Sequence, residues 1–262
     1  MSRVFIAGWL GNMGQRYLAV LKFLGIPYCG LDVPPEWTPN AGNPNWLNKA
    51  EVSEATHILV ATPTHTHYDV LKEYLGWGLP VLCEKPVIKD IGLLEEIIAM
   101  YSKKGVPLTM LNQYKYMTKP TDQGETYYNY FRTGGDGLHW DCINLIGLAK
   151  GKVEIGNVNP IWTCCINGRW LSPDNIDESY INMMADWVEN PKSNAAYMLR
   201  AHKRVKEMTD GKRSTANWDT GQVELDEAAE QGSLSAWPQN DFGTCDRALP
   251  PGKEVVGDGQ ET

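Results

Sequence analysis

Apolar and polar positions alternate in regular blocks along residues 1–117 of the chain. Short apolar runs, typical of buried strands, occur at residues 3–7, 27–33, 57–61, 80–83 and 107–113. Apolar residues at helical spacing predict helices over residues 15–24, 68–75 and 91–104. Because strands alternate with helices, the pattern predicts an α/β fold built on a doubly wound parallel sheet.

The pattern changes after residue 117, and residues 118–210 read as a small, reduced α+β domain. An apolar helix is predicted over 138–150, and the Val-, Ile- and Trp-rich stretch 152–170 predicts strands. Two further helices are predicted over 176–189 and 194–208, the first opened by a capping signal at Asp174-Asn175. Such a domain suits substrate binding or dimerisation.

Residues 211–262 form a third compositional region, which is rich in Gly, Asp, Glu and Pro and poor in apolar residues. This composition predicts a polar, acidic C-terminal extension rather than a third domain. A solvated tail and a segment packed on its own domain or on a neighbouring subunit are the two alternatives.

The charge of the chain excludes several classes of partner. The 262 residues are 42% hydrophobic and carry a formal net charge of -8, which argues against binding to nucleic acid or to an anionic membrane. The start of the chain lacks the features of a signal peptide, and no apolar run is long enough to span a bilayer, so we expect a cytoplasmic protein. The six cysteines include no C-x-x-C pair, so we interpret them as buried reduced thiols and predict no metal site.

A glycine-rich turn follows the first predicted strand directly. Glycine permits a tight turn, a close approach of phosphate to backbone and a close helix–strand contact, and the helix N-terminus then holds a pyrophosphate. The glycines Gly8, Gly11 and Gly14 are spaced G-x-x-G-x-x-G, whereas the common dinucleotide motif is G-x-G-x-x-G. Either the turn is one residue longer, or Trp9 has replaced its first glycine. The predicted cofactor contacts in this Rossmann-type turn are Gly8, Trp9, Leu10, Gly11, Asn12, Met13 and Gly14.

Asp32 lies at the end of the second predicted strand, 18 residues after Gly14. An acid at this place hydrogen-bonds the ribose 2′-hydroxyl and repels a 2′-phosphate, so it predicts NAD rather than NADP. The alternative is an aspartate that only caps the proline-rich loop that follows.

Polar residues also follow the third strand. Ligands of open parallel sheets bind beyond the carboxyl ends of the strands, so Thr62 and Pro63 are predicted to line the cofactor. His67 begins the next helix and is a further candidate cofactor contact. His65 and His67 have the alternative of a capping or surface role.

The fourth strand ends in Cys83-Glu84-Lys85-Pro86. A lysine beside a nicotinamide can donate a proton or polarise a carbonyl group, and burial can lower its pKa towards neutrality. Lys85 is therefore the candidate for proton transfer, with Glu84 beside it. The alternative is a surface ion pair between Glu84 and Lys85.

The segment Ala61-Thr62-Pro63 with His67, followed by residues 80–86, resembles the Gfo/Idh/MocA oxidoreductases. The resemblance extends over residues 1–117. It implies an NAD(P)-dependent hydride transfer, a place for Lys85 near the nicotinamide, and a site-lining role for Asn112 after the fifth strand.

The resemblance weakens in the second region. Family members carry a D-x-G-x-H-x-x-D pattern after a Gly-Gly turn, and here Asn144 aligns with its histidine and Gly147 with its second aspartate. Asparagine can hydrogen-bond a substrate oxygen but cannot act as a general acid, so Asn144 and Asp141 are predicted to hold the substrate. His139 lies nearby but out of register.

These observations predict an NAD(P)-dependent oxidoreductase that acts on a hydroxyl or carbonyl carbon of a small polyol, sugar or related molecule. The expected state is a homo-oligomer. The alternative is a non-catalytic or weakly active relative that serves as a binding or structural subunit of a larger assembly, such as one encoded by a phage.

Overall fold

The first sheet contains five parallel strands in the order β2-β1-β3-β4-β5. The strands are β1 Val4–Ala7, β2 Tyr28–Leu31, β3 His57–Val60, β4 Val81–Cys83 and β5 Leu108–Met110. In this computed structural model, which describes residues 2–31, 53–129, 137–156 and 163–210, helices cover both faces of the sheet. The structure thus confirms the doubly wound parallel sheet.

The register of the strands brings their carboxyl ends to one edge of the sheet. Ala7 pairs with Leu31 on one side and with Val60 on the other. Val60 pairs in turn with Cys83, and Cys83 with Met110. The residues that follow these strands, including Gly8 and Lys85, therefore begin at the same edge.

The helices of the described residues are α1 Asn12–Phe23, α2 His67–Leu75, α3 Ile91–Lys104, α4 Leu138–Asp141, α5 Ile143–Leu148, α6 Ile176–Glu189 and α7 Ala195–Thr209. Helices α1 and α6 pack on one face of the first sheet, against Val4, Ile6 and Leu59. Helices α2, α3 and α7 contribute to the apolar core on the other face. Both closing helices thus pack on the first sheet, because their apolar stripes bury there.

The second sheet has four strands in the order β7-β6-β8-β9. They are β6 Thr126–Asn129, β7 Val153–Gly156, β8 Thr163–Ile166 and β9 Arg169–Leu171. Strand β6 is parallel to β7 and antiparallel to β8, which is antiparallel to β9. Asn167 and Gly168 join β8 to β9 with φ angles of 51° and 79°, as a two-residue hairpin turn requires.

Two expectations for the second region are wrong in detail. The predicted helix over 138–150 is two short helices, because the backbone breaks at Cys142, whose φ and ψ are -92° and 6°. The predicted cap at Asp174-Asn175 is not formed: a 3₁₀ turn, Pro173–Asn175, precedes α6, and Ser172 caps that turn by accepting a hydrogen bond from the Asp174 N–H at 3.2 Å. Asn175 makes no side-chain capping bond to α6.

Part of the sequence-based prediction falls on residues outside those described. Asp32, the Gly134-Gly135 turn and the extension 211–262 all lie there. Within the described ranges, no helix combines the length and the apolar character that crossing a membrane requires.

Candidate functional site

The glycine turn is shaped by two close backbone contacts. Gly8 has a φ of +85°, and a Cβ on it would lie 2.7 Å from the carbonyl oxygen of Ala61, just beyond β3. A Cβ on Gly14 would overlap the Gly8 carbonyl oxygen and lie 2.6 Å from the Cα of Trp9. Gly8 and Gly14 therefore provide the tight turn and the close helix contact of a dinucleotide motif. The turn is one residue longer than usual, so its first glycine is present at position 8.

Gly11 has more room than Gly8 and Gly14. Among the described residues, a Cβ there would meet only the Gly8 carbonyl oxygen, at an ordinary contact distance of 3.5 Å. Gly11 is the N-cap of α1, the helix has no side-chain cap, and its first turn carries no acidic residue. Uncapped N–H groups and the positive end of a helix dipole favour an anion. This end of α1 therefore fits the pyrophosphate of a dinucleotide.

Trp9 extends the turn over the edge strand β2. A Cβ on Gly30 would lie 3.0 Å from Cγ and Cδ2 of the indole, so the ring packs directly on the Gly30 backbone. The Trp9 carbonyl accepts a hydrogen bond from Gln15 Nε2 at 2.8 Å, which ties the turn to α1. The indole thus borders the strand end that Asp32 follows, and the ribose contact of Asp32 stays a prediction.

His67 holds two strand-end loops together. Its Nε2 lies 2.8 Å from the carbonyl oxygen of Thr62, and its Nδ1 lies 3.1 Å and 3.0 Å from those of Pro86 and Val87. The ring is fully buried, and this burial lowers the pKa of His67. Since both ring nitrogens face backbone carbonyls, His67 ties these two loops together, and its contact with a cofactor stays a prediction. Among the other residues predicted here, Thr62 is also buried, whereas Pro63 is exposed.

Glu84 and Lys85 point in different directions. The Glu84 side chain is buried, with Oε2 accepting the backbone N–H of Lys85 at 2.9 Å and Oε1 accepting the hydroxyl of Tyr17. Lys85 Nζ donates instead to the carbonyl oxygen of Asp141 at 3.1 Å. The alternative of a surface ion pair between Glu84 and Lys85 is therefore wrong. The structure brings Lys85 and Asp141 together, as the prediction of a shared site requires, but through the Asp141 backbone.

A buried amide cluster follows β5. Asn144 is 1% exposed, and its Nδ2 donates to Gln113 Oε1 at 3.1 Å. Tyr197 donates its hydroxyl to the Asn144 carbonyl oxygen at 2.8 Å, and burial raises its pKa while the nearby Asn112 side chain lowers it. Within the described part of the chain, the side-chain oxygens of Asn112 and Asn144 are buried without a hydrogen-bond partner. The predicted site residues Asn112 and Asn144 thus belong to one polar cluster.

Helix α7 closes the face of α5 that carries Gly147. A Cβ on Gly147 would lie 2.7 Å from the Cβ of Ala201 and 2.8 Å from the hydroxyl oxygen of Tyr197. The position that aligns with an aspartate therefore has no room for one. His139 lies on α4, one helix away from Asn144.

Sequence reasoning missed several residues that build this site. Tyr17 contacts Glu84, and Gln113 and Tyr197 contact Asn144. His202 accepts the Val87 N–H at 3.1 Å, and burial lowers its pKa to about 4. Only Tyr17 carried a local signal, since it lies on α1 three residues after Gly14. The others reach the site from distant parts of the chain.

The family comparison agrees with this geometry. Residues 38–112 match the model of an oxidoreductase family, described as GFO_IDH_MocA with an NAD-binding Rossmann fold. This segment is therefore similar to the Rossmann domain of the Gfo/Idh/MocA oxidoreductases. The match contains Thr62, Glu84, Lys85 and Asn112, and the matched family is NAD-binding.

Solved structures show that a similarity in fold extends beyond the matched segment. A WlbA dehydrogenase from Thermus thermophilus, in complex with NAD and UDP-GlcNAcA, is 12% identical with a TM-score of 0.58, covering 79% of this chain and 94% of that one. An Agrobacterium radiobacter oxidoreductase in complex with NAD+, L-tartaric acid and magnesium is 11% identical with a TM-score of 0.61, covering 82% and 97%. A UDP-N-acetylglucosamine 3-dehydrogenase, GnnA, from Acidithiobacillus ferrooxidans is 13% identical with a TM-score of 0.54, covering 79% and 96%. At these identities the likeness concerns the fold.

One curated protein shows a short, stronger match. The rhizopine catabolism protein MocA of Rhizobium meliloti is 47% identical over 36 residues. The match spans 14% of this chain and 11% of the length of that protein. It supports the resemblance to this family over a short segment, and the activity of the whole chain is a matter of proposal.

Proposed function

We propose that this chain binds NAD across the carboxyl edge of its first sheet and transfers hydride to or from a hydroxyl or carbonyl carbon of a small polyol or sugar. One observation carries the proposal. The glycine turn before α1, which has no side-chain cap, and Lys85, which follows β4, lie at the same edge of the sheet. That edge is where open parallel sheets bind ligands. The complexes of similar structures with NAD support the choice of cofactor.

Each part of the proposed site has a distinct task. The turn Gly8–Gly14 holds the pyrophosphate. Asp32 hydrogen-bonds the adenosine ribose and so disfavours the 2′-phosphate of NADP. Thr62 and Pro63 line the cofactor beyond the pyrophosphate. Bound NAD supplies the hydride chemistry. Lys85, held at the Asp141 carbonyl, gives a proton to the substrate oxygen or stabilises the charge that develops there.

Calorimetric titration with NADH and with NADPH tests the cofactor site. We expect NADH to bind more tightly, and Asp32→Ala to reduce that preference because the carboxylate that repels a 2′-phosphate is lost. No binding at millimolar NADH would contradict the proposal. A panel of polyols and sugars, followed by NADH absorbance, then tests for turnover.

A second candidate function is a family relative that binds cofactor without turnover. It is favoured by the packing of Gly147 against Tyr197 and Ala201, and by the burial of Asn144 on Gln113. Asn144 and Gly147, the two positions that align with family site residues, are therefore both buried in this fold. Tight NADH binding without consumption of NADH across the substrate panel would support this alternative.

The cytoplasmic location and the homo-oligomeric state remain predictions. Trp170, 68% exposed on β9 beside Tyr127, leaves an aromatic pair on the second sheet that an oligomer would cover. Light scattering of the purified chain tests the oligomer, and a single monomeric species would contradict it.

A further inference from the structure

Glu84 is held by two donors that come from different parts of the fold. One carboxylate oxygen accepts the backbone N–H of Lys85 at 2.9 Å, and the other accepts the hydroxyl of Tyr17. The side chain is 7% exposed, so water contributes little to its solvation. Charged hydrogen bonds of this kind are stronger than neutral ones, so the carboxylate fixes the backbone from which the Lys85 side chain starts.

Tyr17 belongs to the helix that begins at the glycine turn. It lies on α1, three residues after Gly14, and its ring is fully buried with its centroid 6.0 Å from that of Tyr180. Burial and the Glu84 charge raise the pKa of Tyr17 well above its ordinary value, so its hydroxyl is a proton donor at neutral pH. The hydrogen bond to Glu84 therefore joins α1 to the end of β4.

We propose that Tyr17 is a positioning residue, which through Glu84 couples the phosphate-binding end of α1 to the placement of Lys85. The coupling rests on the proposed function for its use in catalysis, but the link itself is present in the chain without a cofactor. A displacement of α1 when phosphates bind moves the hydroxyl that holds Glu84, and Glu84 holds the Lys85 backbone. Tyr17 touches no reacting atom in this arrangement.

The test measures the rate at which an acetylating reagent modifies each lysine, with mass spectrometry as the readout. A Lys85 side chain that is held in place should react more slowly than one that is free to move. Tyr17→Phe keeps the ring and its packing on Tyr180 and removes only the hydroxyl. We expect acetylation of Lys85 to speed up by about three- to tenfold, the range that corresponds to losing one hydrogen bond. Lys104 is the reference within each sample, because its ammonium also donates to backbone carbonyls, those of Leu75 and Gly76.

Tyr74→Phe is the matched control variant. Tyr74 is fully buried, and its hydroxyl has no hydrogen-bond partner within the described residues, so its removal breaks no link to the site. If the ratio of Lys85 to Lys104 acetylation in Tyr17→Phe equals that in Tyr74→Phe, the proposal is overturned. A general loosening of the protein would raise both rates and leave the ratio unchanged.

A second variant and a second condition separate the possible failures. Should Tyr17→Phe not fold, Glu84→Met removes both acceptor oxygens at a similar side-chain length, and the same rise in the ratio is expected. NADH is expected to slow Lys85 acetylation in the unmodified chain and to slow it less in Tyr17→Phe. Absence of NADH protection in the unmodified chain counts against the proposed function, whereas the cofactor-free ratio decides the role of Tyr17.

Discussion

At the scale of single residues, substitutions at two glycines of the turn should affect different properties: Gly11 the binding of cofactor, and Gly14 the stability of the fold. Gly11→Val adds a side chain where only the Gly8 carbonyl is near, so we expect the variant to fold and to lose NADH binding, because the side chain blocks the phosphate approach. Gly14→Ala places a Cβ on the Gly8 carbonyl, so we expect a lower melting temperature. Circular dichroism and calorimetric titration check both. A Gly11→Val protein that binds NADH normally would place the phosphates elsewhere.

Lys85 is the second residue whose role can be isolated. Lys85→Met keeps most of the side-chain stem and removes the proton donor, so turnover should fall by about two to four orders of magnitude with NADH affinity nearly unchanged. Loss of the bond to the Asp141 carbonyl should cost only about 1 kcal/mol of stability. Lys104→Met is the control, since Lys104 lies on α3 and bonds carbonyls at the end of α2. Equal turnover of the two variants would remove Lys85 from the mechanism.

At the scale of elements, the buried histidines His67 and His202 both hydrogen-bond the loop after β4. His202 on α7 accepts the Val87 N–H, and its Nδ1–H donates to the Met198 carbonyl at 2.8 Å, which requires a neutral ring. Its pKa of about 4 lies below the ordinary value of 6.5, so the folded state favours the neutral form. This contribution is complete above pH 6.5 and is lost as the pH falls towards 4.

Denaturant unfolding as a function of pH tests this contribution. The free energy of unfolding should fall between about pH 6.5 and 4, by on the order of 2–3 kcal/mol from His202 alone. His202→Gln keeps an acceptor that cannot be protonated, so its profile should be flatter. Some slope should remain, because burial also lowers the pKa of His57 and of His67. A variant as steep as the unmodified chain would assign the slope to those two residues.

The elements of the first sheet were predictable because each carries its own local signal. Apolar runs marked all five strands, and helical spacing placed α3 at its observed bounds, Ile91–Lys104. The break at Cys142 was not predictable, since the carbonyls around it are engaged by Lys85 and by Arg204, 56 and 58 residues away from their acceptors Asp141 and Ile146. The long-range contacts that complete the site were not predictable for the same reason. Lys85 was predictable because it follows the end of a strand. Gln113 and Tyr197 were not, because they contact Asn144 only when distant parts of the chain have folded together.

At the scale of the whole molecule, the described fold is completed by α7, which ends at Thr209. Its buried residues Met198, Ala201 and Val205 belong to the core on one face of the first sheet. We therefore expect a chain shortened after residue 210 to keep its melting temperature and its NADH affinity. Light scattering on the same sample shows whether residues 211–262 alter the oligomer. Global unfolding of the shortened chain would show that the extension belongs to the core.

The contact between Gly147 and α7 also limits how this protein can change. An acidic side chain at position 147 would collide with Ala201 and with Tyr197, whose hydroxyl donates a hydrogen bond to the Asn144 carbonyl oxygen. A variant with an acid at position 147 would need a smaller residue at position 197 as well, and would lose the hydrogen bond to Asn144 with the Tyr197 hydroxyl. No single substitution at position 147 can therefore introduce a carboxylate without a steric clash, and the site keeps glycine there unless a neighbouring residue changes too.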